Sequence, residues 1–266
     1  MKNTQIISVI NQKGGVGKTT TVINLATALS FKNKKVLVID LDPQGNATTG
    51  LGLSNTNNNK TIYDVLNGNS NFEDVIQETK IENLKLVSSN VDLSGLEVET
   101  ANENRRAFLL KDKIENYINS SSNDFSYIFI DCPPSLSLLT VMSLVVAKSI
   151  IVPLQTEFFA LEGLSQLMKT IDRIKVKLNP DLEIRGVLLT MFDKRNKLSM
   201  QVDIEARKFF SEKVYKTVIP RNVRLSEAPS HGVPVLIYDK SCPGSKSYYN
   251  FTDEFIEQEN KIGSAA

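Results

Sequence analysis

The 266-residue sequence predicts a doubly wound α/β fold: a mostly parallel sheet with helices on both faces. Three observations carry this. Short β-branched runs alternate with longer amphipathic ones along the chain, the βαβ rhythm of a parallel sheet. Most of those runs are apolar at nearly every position, as strands covered on both faces must be. A glycine-rich loop stands between the first run and the first helical stretch, where such folds gather backbone N–H groups at a helix N-terminus.

Taken in order, the strands fall at 5–10 (QIISVI), 35–40 (KVLVID), 84–88, 127–131 (YIFID), 149–153 (SIIVP), 184–190 and 214–220. Helical length and spacing appear at 17–31, 105–118, 135–147, 157–177 and 198–210. The Asn-rich stretch 54–60 (SNTNNNK) reads as an exposed loop. Residues 254–266 are acidic and then close on GSAA, which reads as a tail with the last ten or so residues frayed. No linker is long or polar enough to divide the chain, so 1–266 is expected to form one domain.

Composition excludes several classes of function. At 41% apolar residues the chain is too hydrophobic for a disordered protein. No window approaches 18 uninterrupted apolar residues, and the N-terminus lacks the apolar core of a secretory signal. A soluble, cytoplasmic protein is expected. Cys132 and Cys242 are too far apart for a CxxC metal site, and the single histidine, His231, cannot build a metal cluster or a triad. With 31 basic and 30 acidic residues, the net charge of +1 alone speaks against nucleic acid.

The loop reads Asn11-Gln12-Lys13-Gly14-Gly15-Val16-Gly17-Lys18-Thr19-Thr20. Glycines let consecutive N–H groups turn inward around phosphate oxygens, and the following helix adds its positive end. Lys18 can reach the outer phosphates of a nucleotide, and the Thr19 hydroxyl can ligate Mg²⁺. The bland alternative is a turn that merely joins strand to helix, but strand, loop and helix stand in the right order for nucleotide. The standard phosphate-loop pattern would need glycine at position 12. Gln12 stands there instead, and a second lysine, Lys13, sits inside the loop. Lys13 is either a solvated loop lysine or a side chain that leaves its own cradle to cross a dimer interface, as an arginine finger does.

Two strands end in carboxylates. The second runs into Asp40-Leu41-Asp42-Pro43-Gln44, the fourth strand expected above into Asp131-Cys132-Pro133-Pro134-Ser135. Asp131 suits a partner of the Mg²⁺ shell; its alternative role, a helix cap, is better filled by Ser135. Asp42 is the candidate for orienting an attacking water, and Asp40 for positioning Mg²⁺ or the loop. Spacing alone does not decide between these two.

KGGVGKTT, DLDPQGN and FIDCPPS, in this order, resemble the ParA/MinD superfamily of phosphate-loop ATPases with a deviant Walker A motif. TMFDKRNKL and IPRNVRLSEAPSHGVPV narrow the resemblance to its chromosomal ParA (Soj) branch, over about residues 5–250. The resemblance implies ATP and Mg²⁺ as cofactors, with weak intrinsic hydrolysis. It also implies an ATP-dependent sandwich homodimer, DNA binding without sequence preference, and a centromere-binding ParB-type partner that stimulates hydrolysis during chromosome or plasmid partition on the nucleoid. Carried over by residue, Lys13 acts in trans, Lys18 in cis, Thr19 ligates Mg²⁺ and Asp42 positions water. Asp131 is the aspartate of the second motif, and Pro220 and Asn222 flank the base.

Between Arg185 and Arg224 the sequence holds ten Lys/Arg and four Asp/Glu, a net of +6 that the rest of the chain offsets with −5. Lys194, Arg195 and Lys197 form one cluster, Arg221 and Arg224 another. Charge runs are usually solvated faces. Here, basic residues in short turns, with no aromatics interleaved in a stacking pattern, fit phosphate contacts to a duplex better than single-strand stacking. The rival reading is a MinD-like ATPase that positions cell division at a membrane. That requires a basic amphipathic C-terminal helix, and FTDEFIEQENK is acidic.

Overall fold

In the computed structural model, residues 4–53, 60–120 and 124–265 are described. Most of the expected Asn-rich loop, 54–59, lies outside them. Among the described residues the strands are β1 (Gln5–Val9), β2 (Val36–Asp40), β3 (Ile76–Glu78), β4 (Leu84–Val87), β5 (Tyr127–Asp131), β6 (Ser149–Gln155) and β7 (Glu183–Thr190). They form one sheet in the order β3-β4-β2-β5-β1-β6-β7. All pairs are parallel except β3 on β4. The helices are α1 (Lys18–Phe31), α2 (Asn46–Gly50), α3 (Ile62–Leu66), α4 (Leu96–Glu99), α5 (Leu109–Ser120), α6 (Leu138–Val146), α7 (Ala160–Lys177), α8 (Lys197–Phe210), α9 (Val223–Glu227), α10 (Val235–Tyr238) and α11 (Pro243–Ala265).

Alternate strand residues feed two cores. Ile6, Ile10, Leu37, Ile39, Ile128 and Ile130 pack with Leu110, Met142, Leu167 and Val202 from α5 to α8. Ile7, Val9, Val36, Val38, Tyr127 and Phe129 pack on the other side with Val22 and Leu25 of α1 and with Tyr248, Phe251 and Phe255 of α11. Burial on both sides is why these strands read as continuous apolar runs. The register sets Val9 opposite Asp131 and Asp40 opposite Asp131, so the loops leaving β1, β2 and β5 emerge level with one another at the carboxyl edge. In open parallel sheets that edge is where ligands bind.

Two sequence expectations differ from the structure, and one strand was not expected at all. Residues 214–220 do not form a strand; they touch the sheet edge through bridges from Val187 to Val214 and from Phe192 to Pro220. Tyr215 N–H and Ile219 N–H bond to Val187 O and Leu189 O, but Lys216 N–H and Thr217 N–H donate instead to the Glu254 carboxylate, at 2.6 and 2.9 Å, so the ladder is interrupted. The expected frayed tail is occupied by helix, since α11 is described as far as Ala265. Its inner face carries Tyr248, Phe251 and Phe255 at the helical spacing of three and four, and Glu259 accepts from Arg185 (2.6 Å) and the Tyr127 hydroxyl (2.5 Å). The antiparallel edge strand β3 has no counterpart in the sequence reading, because three partly exposed residues carry no usable periodicity.

Candidate nucleotide site and basic groove

The loop after β1 is built on two left-handed glycines, Gly15 at φ 74° and Gly17 at φ 91°, a conformation costly for any residue with a Cβ. Asn11 shapes its entrance, donating to Pro153 O (2.8 Å) and accepting from Lys13 N–H (3.0 Å). Gln12, which replaces the usual glycine, donates to Gly163 O in α7 (3.1 Å), so the substitution ties the loop to a neighbouring helix. Val16 is buried, and its carbonyl accepts from the Thr190 hydroxyl at the end of β7 (2.8 Å).

The two lysines point apart. Lys18 is buried in the loop and donates to Lys13 O at 3.1 Å. Desolvation lowers its pKa, opposed by Asp131, Cys132 and Asp42. Lys13 extends outward, half exposed, into an ion pair with Glu157 in the segment between β6 and α7.

Thr19 donates its hydroxyl to Asp131 Oδ2 at 2.7 Å, while Asp131 Oδ1 is buried with no partner. Burial, and next the charge of Asp40, hold the Asp131 carboxyl well above the usual carboxylate range. Asp40 is fully buried as well. It accepts from Thr48 N–H (2.8 Å), the Thr48 hydroxyl (2.7 Å) and Asp42 N–H (3.2 Å). Burial outweighs these bonds and pushes its carboxyl up to about 6. Asp40 therefore orders the chain from 42 to 48. Asp42 is itself fixed by Gln44 N–H on Oδ1 at 3.0 Å. An orphaned buried carboxylate oxygen beside a hydroxyl is the arrangement a hydrated Mg²⁺ ion satisfies, so Thr19 and Asp131 fit the metal.

A cleft of 660 Å³ opens from the loop, lined by Gly15, Gly17, Lys18, Thr19 and Thr20 at one end and by Pro220, Asn222 and Leu225 further along. The structure thus brings the loop and both expected base-flanking residues together. Asn222 also caps α9, accepting from Arg224 N–H at 2.9 Å. Gly14 is exposed beside Pro134 and does not line the cleft. Asn11, Thr48 and Thr190 were missed by the sequence reading. Asn11 directly before the deviant loop was the one available signal, whereas Thr48 and Thr190 act through the fold.

A second, open groove of 780 Å³ is lined by Lys194, Arg195, Lys216 and Arg221, with Ser247 and Asn250 of α11 opposite. Lys216 joins the expected basic residues. Lys197 and Arg224 lie outside this lining: Lys197 opens α8, and Arg224, on α9, pairs with Glu227 (2.8 Å) and Asp239 (3.6 Å). Arg185 contributes nothing to a basic surface, because it is buried against Phe255 and paired with Glu259.

Residues 4–184 match a family model described as an AAA domain. The chain is 51% identical over 255 residues to the chromosome partitioning protein ParA of Caulobacter vibrioides, covering 96% of this chain and 95% of the relative. It is 47% identical over 250 residues to the sporulation initiation inhibitor protein Soj of Bacillus subtilis, covering 94% and 97%. Among solved structures it resembles cobyrinic acid a,c-diamide synthase from Mycobacterium smegmatis with bound ATP analogue and magnesium. That match has a TM-score of 0.82 and 33% identity, over 94% of this chain and 93% of that one.

Proposed function

The chain belongs to the ParA/Soj family of chromosome-partitioning ATPases and hydrolyses ATP with Mg²⁺, and we propose that it works as a DNA-bound, ATP-bridged dimer. In this reading two copies meet loop to loop across their nucleotides. The dimer binds duplex DNA on the nucleoid without reading sequence, and a centromere-binding ParB-type partner triggers the hydrolysis that releases it.

The observation that carries the dimer is the direction of Lys13. It stands outside its own cradle on the exposed side of the loop, while Lys18 alone serves the cradle. A second copy placed against this face would receive Lys13 at its phosphates, which is the charge neutralisation phosphoryl transfer needs.

The chain's own residues divide the work. N–H groups of the loop and Lys18 hold the phosphates, and Gly15 and Gly17 allow that close approach. Thr19 and Asp131 would hold Mg²⁺ and its water, and bound Mg²⁺ neutralises phosphate charge as it develops. Asp42, fixed by Gln44 N–H, orients the attacking water. Pro220 and Asn222 flank the base.

For the DNA contacts we assign Lys194, Arg195, Lys216 and Arg221 in the groove, with Lys197 and Arg224 beside it. One groove offers few phosphate contacts, and two in a dimer act together through effective concentration. A MinD-like membrane role is disfavoured, because the apolar face of α11 is spent on the sheet and no helix among the described residues is long and apolar enough to span a bilayer. Substituting Asp42→Ala tests the cycle. ATP-bound dimers should accumulate and stay on DNA with turnover reduced at least about 100-fold, and unchanged turnover would remove Asp42 from its role.

A further inference from the structure

The basic groove has one acid among its described lining residues, Asp193, and that acid is engaged with an exposed cation of the same groove, Arg195. Asp193 Oδ1 accepts from Arg195 N–H at 3.0 Å and from Nε at 3.1 Å, while Oδ2 accepts from Nη2 at 3.0 Å. The carboxylate thus fills the guanidinium fork in the two-point geometry that a phosphate would use. Arg195 is 91% exposed, and among the described residues Asp193 is its one charged partner.

We propose that Asp193 is a built-in competitor for DNA phosphate: it occupies the Arg195 fork in the free protein, and a DNA phosphate must displace it to bind. This rests on the DNA-binding reading above. The exchange is feasible because an exposed ion pair is worth little, so a duplex with its dense line of phosphates can take the fork over. It has a consequence for regulation. With Asp193 in place a single groove gains little from one phosphate, and stable binding needs the two grooves of a dimer. Arg195 and Arg221 together hold the Asp193 carboxyl down at about 2, so it stays ionised in any cellular condition. Arg224 repeats the pattern with Glu227 and Asp239.

The test is Asp193→Asn, which keeps an oxygen acceptor for Arg195 N–H and removes the charge; Asp193→Ser does the same with a shorter side chain should the first variant fold poorly. Affinity for a random-sequence duplex is measured by fluorescence anisotropy with a non-hydrolysable ATP analogue, over a range of salt. Each variant is made alone and on an Arg195→Ala background. The expected result is roughly two- to five-fold tighter binding per engaged protomer at about 0.1 M salt, with a steeper salt dependence. On the Arg195→Ala background that gain should vanish. Equal gains on both backgrounds would overturn the proposal, since the effect would then be a general field and not a contest for the fork. Unchanged or weaker binding by Asp193→Asn would overturn it too, provided that Arg195→Ala still weakens binding. If Lys194→Ala, Arg195→Ala and Arg221→Ala all leave binding intact, the DNA reading itself falls, and this proposal with it.

Discussion

Raising the pH of the nucleotide-free protein through the neutral range should destabilise it, because Asp40 and Asp131 are fully buried carboxylates that raise each other's cost of ionising, a cost that Lys18 offsets only in part. Asp40 carries a carboxyl moved from the usual 3.8 to about 6, chiefly by burial. The folded state therefore binds this proton more tightly than the unfolded chain does. That advantage is present in full below the unfolded pKa and is lost as pH rises through the folded one. About two pKa units correspond to about 3 kcal/mol, of which about 2 kcal/mol falls between pH 4.5 and 7.5. Asp131, raised well above the usual range by burial and by Asp40, acts in the same direction. For a chain of this length, 2 kcal/mol is a drop of roughly 4–8 °C in Tm. Scanning calorimetry at pH 4.5, 6 and 7.5, with and without Mg²⁺·ADP, reads it out. The nucleotide-free Tm should fall with pH, Mg²⁺·ADP should flatten the slope, and Asp131→Asn should reduce the slope without any ligand. A nucleotide-free Tm that is flat or rising from pH 4.5 to 7.5 would contradict this effect of burial, as would an Asp131→Asn protein with the wild-type slope.

Other predictions follow from single contacts. Phe255→Ala removes a fully buried ring that packs 5.8 Å from Tyr127 and lies 4.2 Å under the Arg185 guanidinium; urea unfolding should show a loss of about 3–5 kcal/mol. Thr19→Ala deletes both the hydroxyl ligand and the 2.7 Å bond to Asp131. Steady-state assays should show hydrolysis down by more than about tenfold, with metal-free ADP binding much less affected. Lys216→Ala should weaken DNA binding equally on unrelated sequences and lower the salt slope by about 1, measured by anisotropy on two duplexes.

Much of this was legible in the sequence because two-faced burial and left-handed backbone leave local marks. The strands β1, β2, β5 and β6 stand out as nearly continuous apolar runs, and Gly15 and Gly17 stand where the loop requires positive φ. What could not be read depends on partners distant in the chain. Residues 214–220 have strand composition, yet Glu254 on α11 captures two of their N–H groups and breaks the ladder. The helix α11 did carry a signal in Tyr248, Phe251 and Phe255, masked by the acids between them. Spacing leaves the role of Asp40 open, and the bonds it accepts from Thr48 depend on the turn into α2. The net charge counted over residues 185–224 overstates the basic surface, since Arg185 is buried by its pairing with Glu259.

We propose that ATP makes this chain a dimer by drawing Lys13 across to a second copy, and that DNA binds only to that dimer. Light scattering with ADP, with ATP, and with ATP plus DNA tests it most directly. The expected result is monomer with ADP, dimer with ATP, DNA carried by the dimer alone, and a Lys13→Ala protein that remains monomeric throughout. A dimer equally stable with ADP and ATP, or a Lys13→Ala protein that dimerises and binds DNA like the wild type, would contradict it.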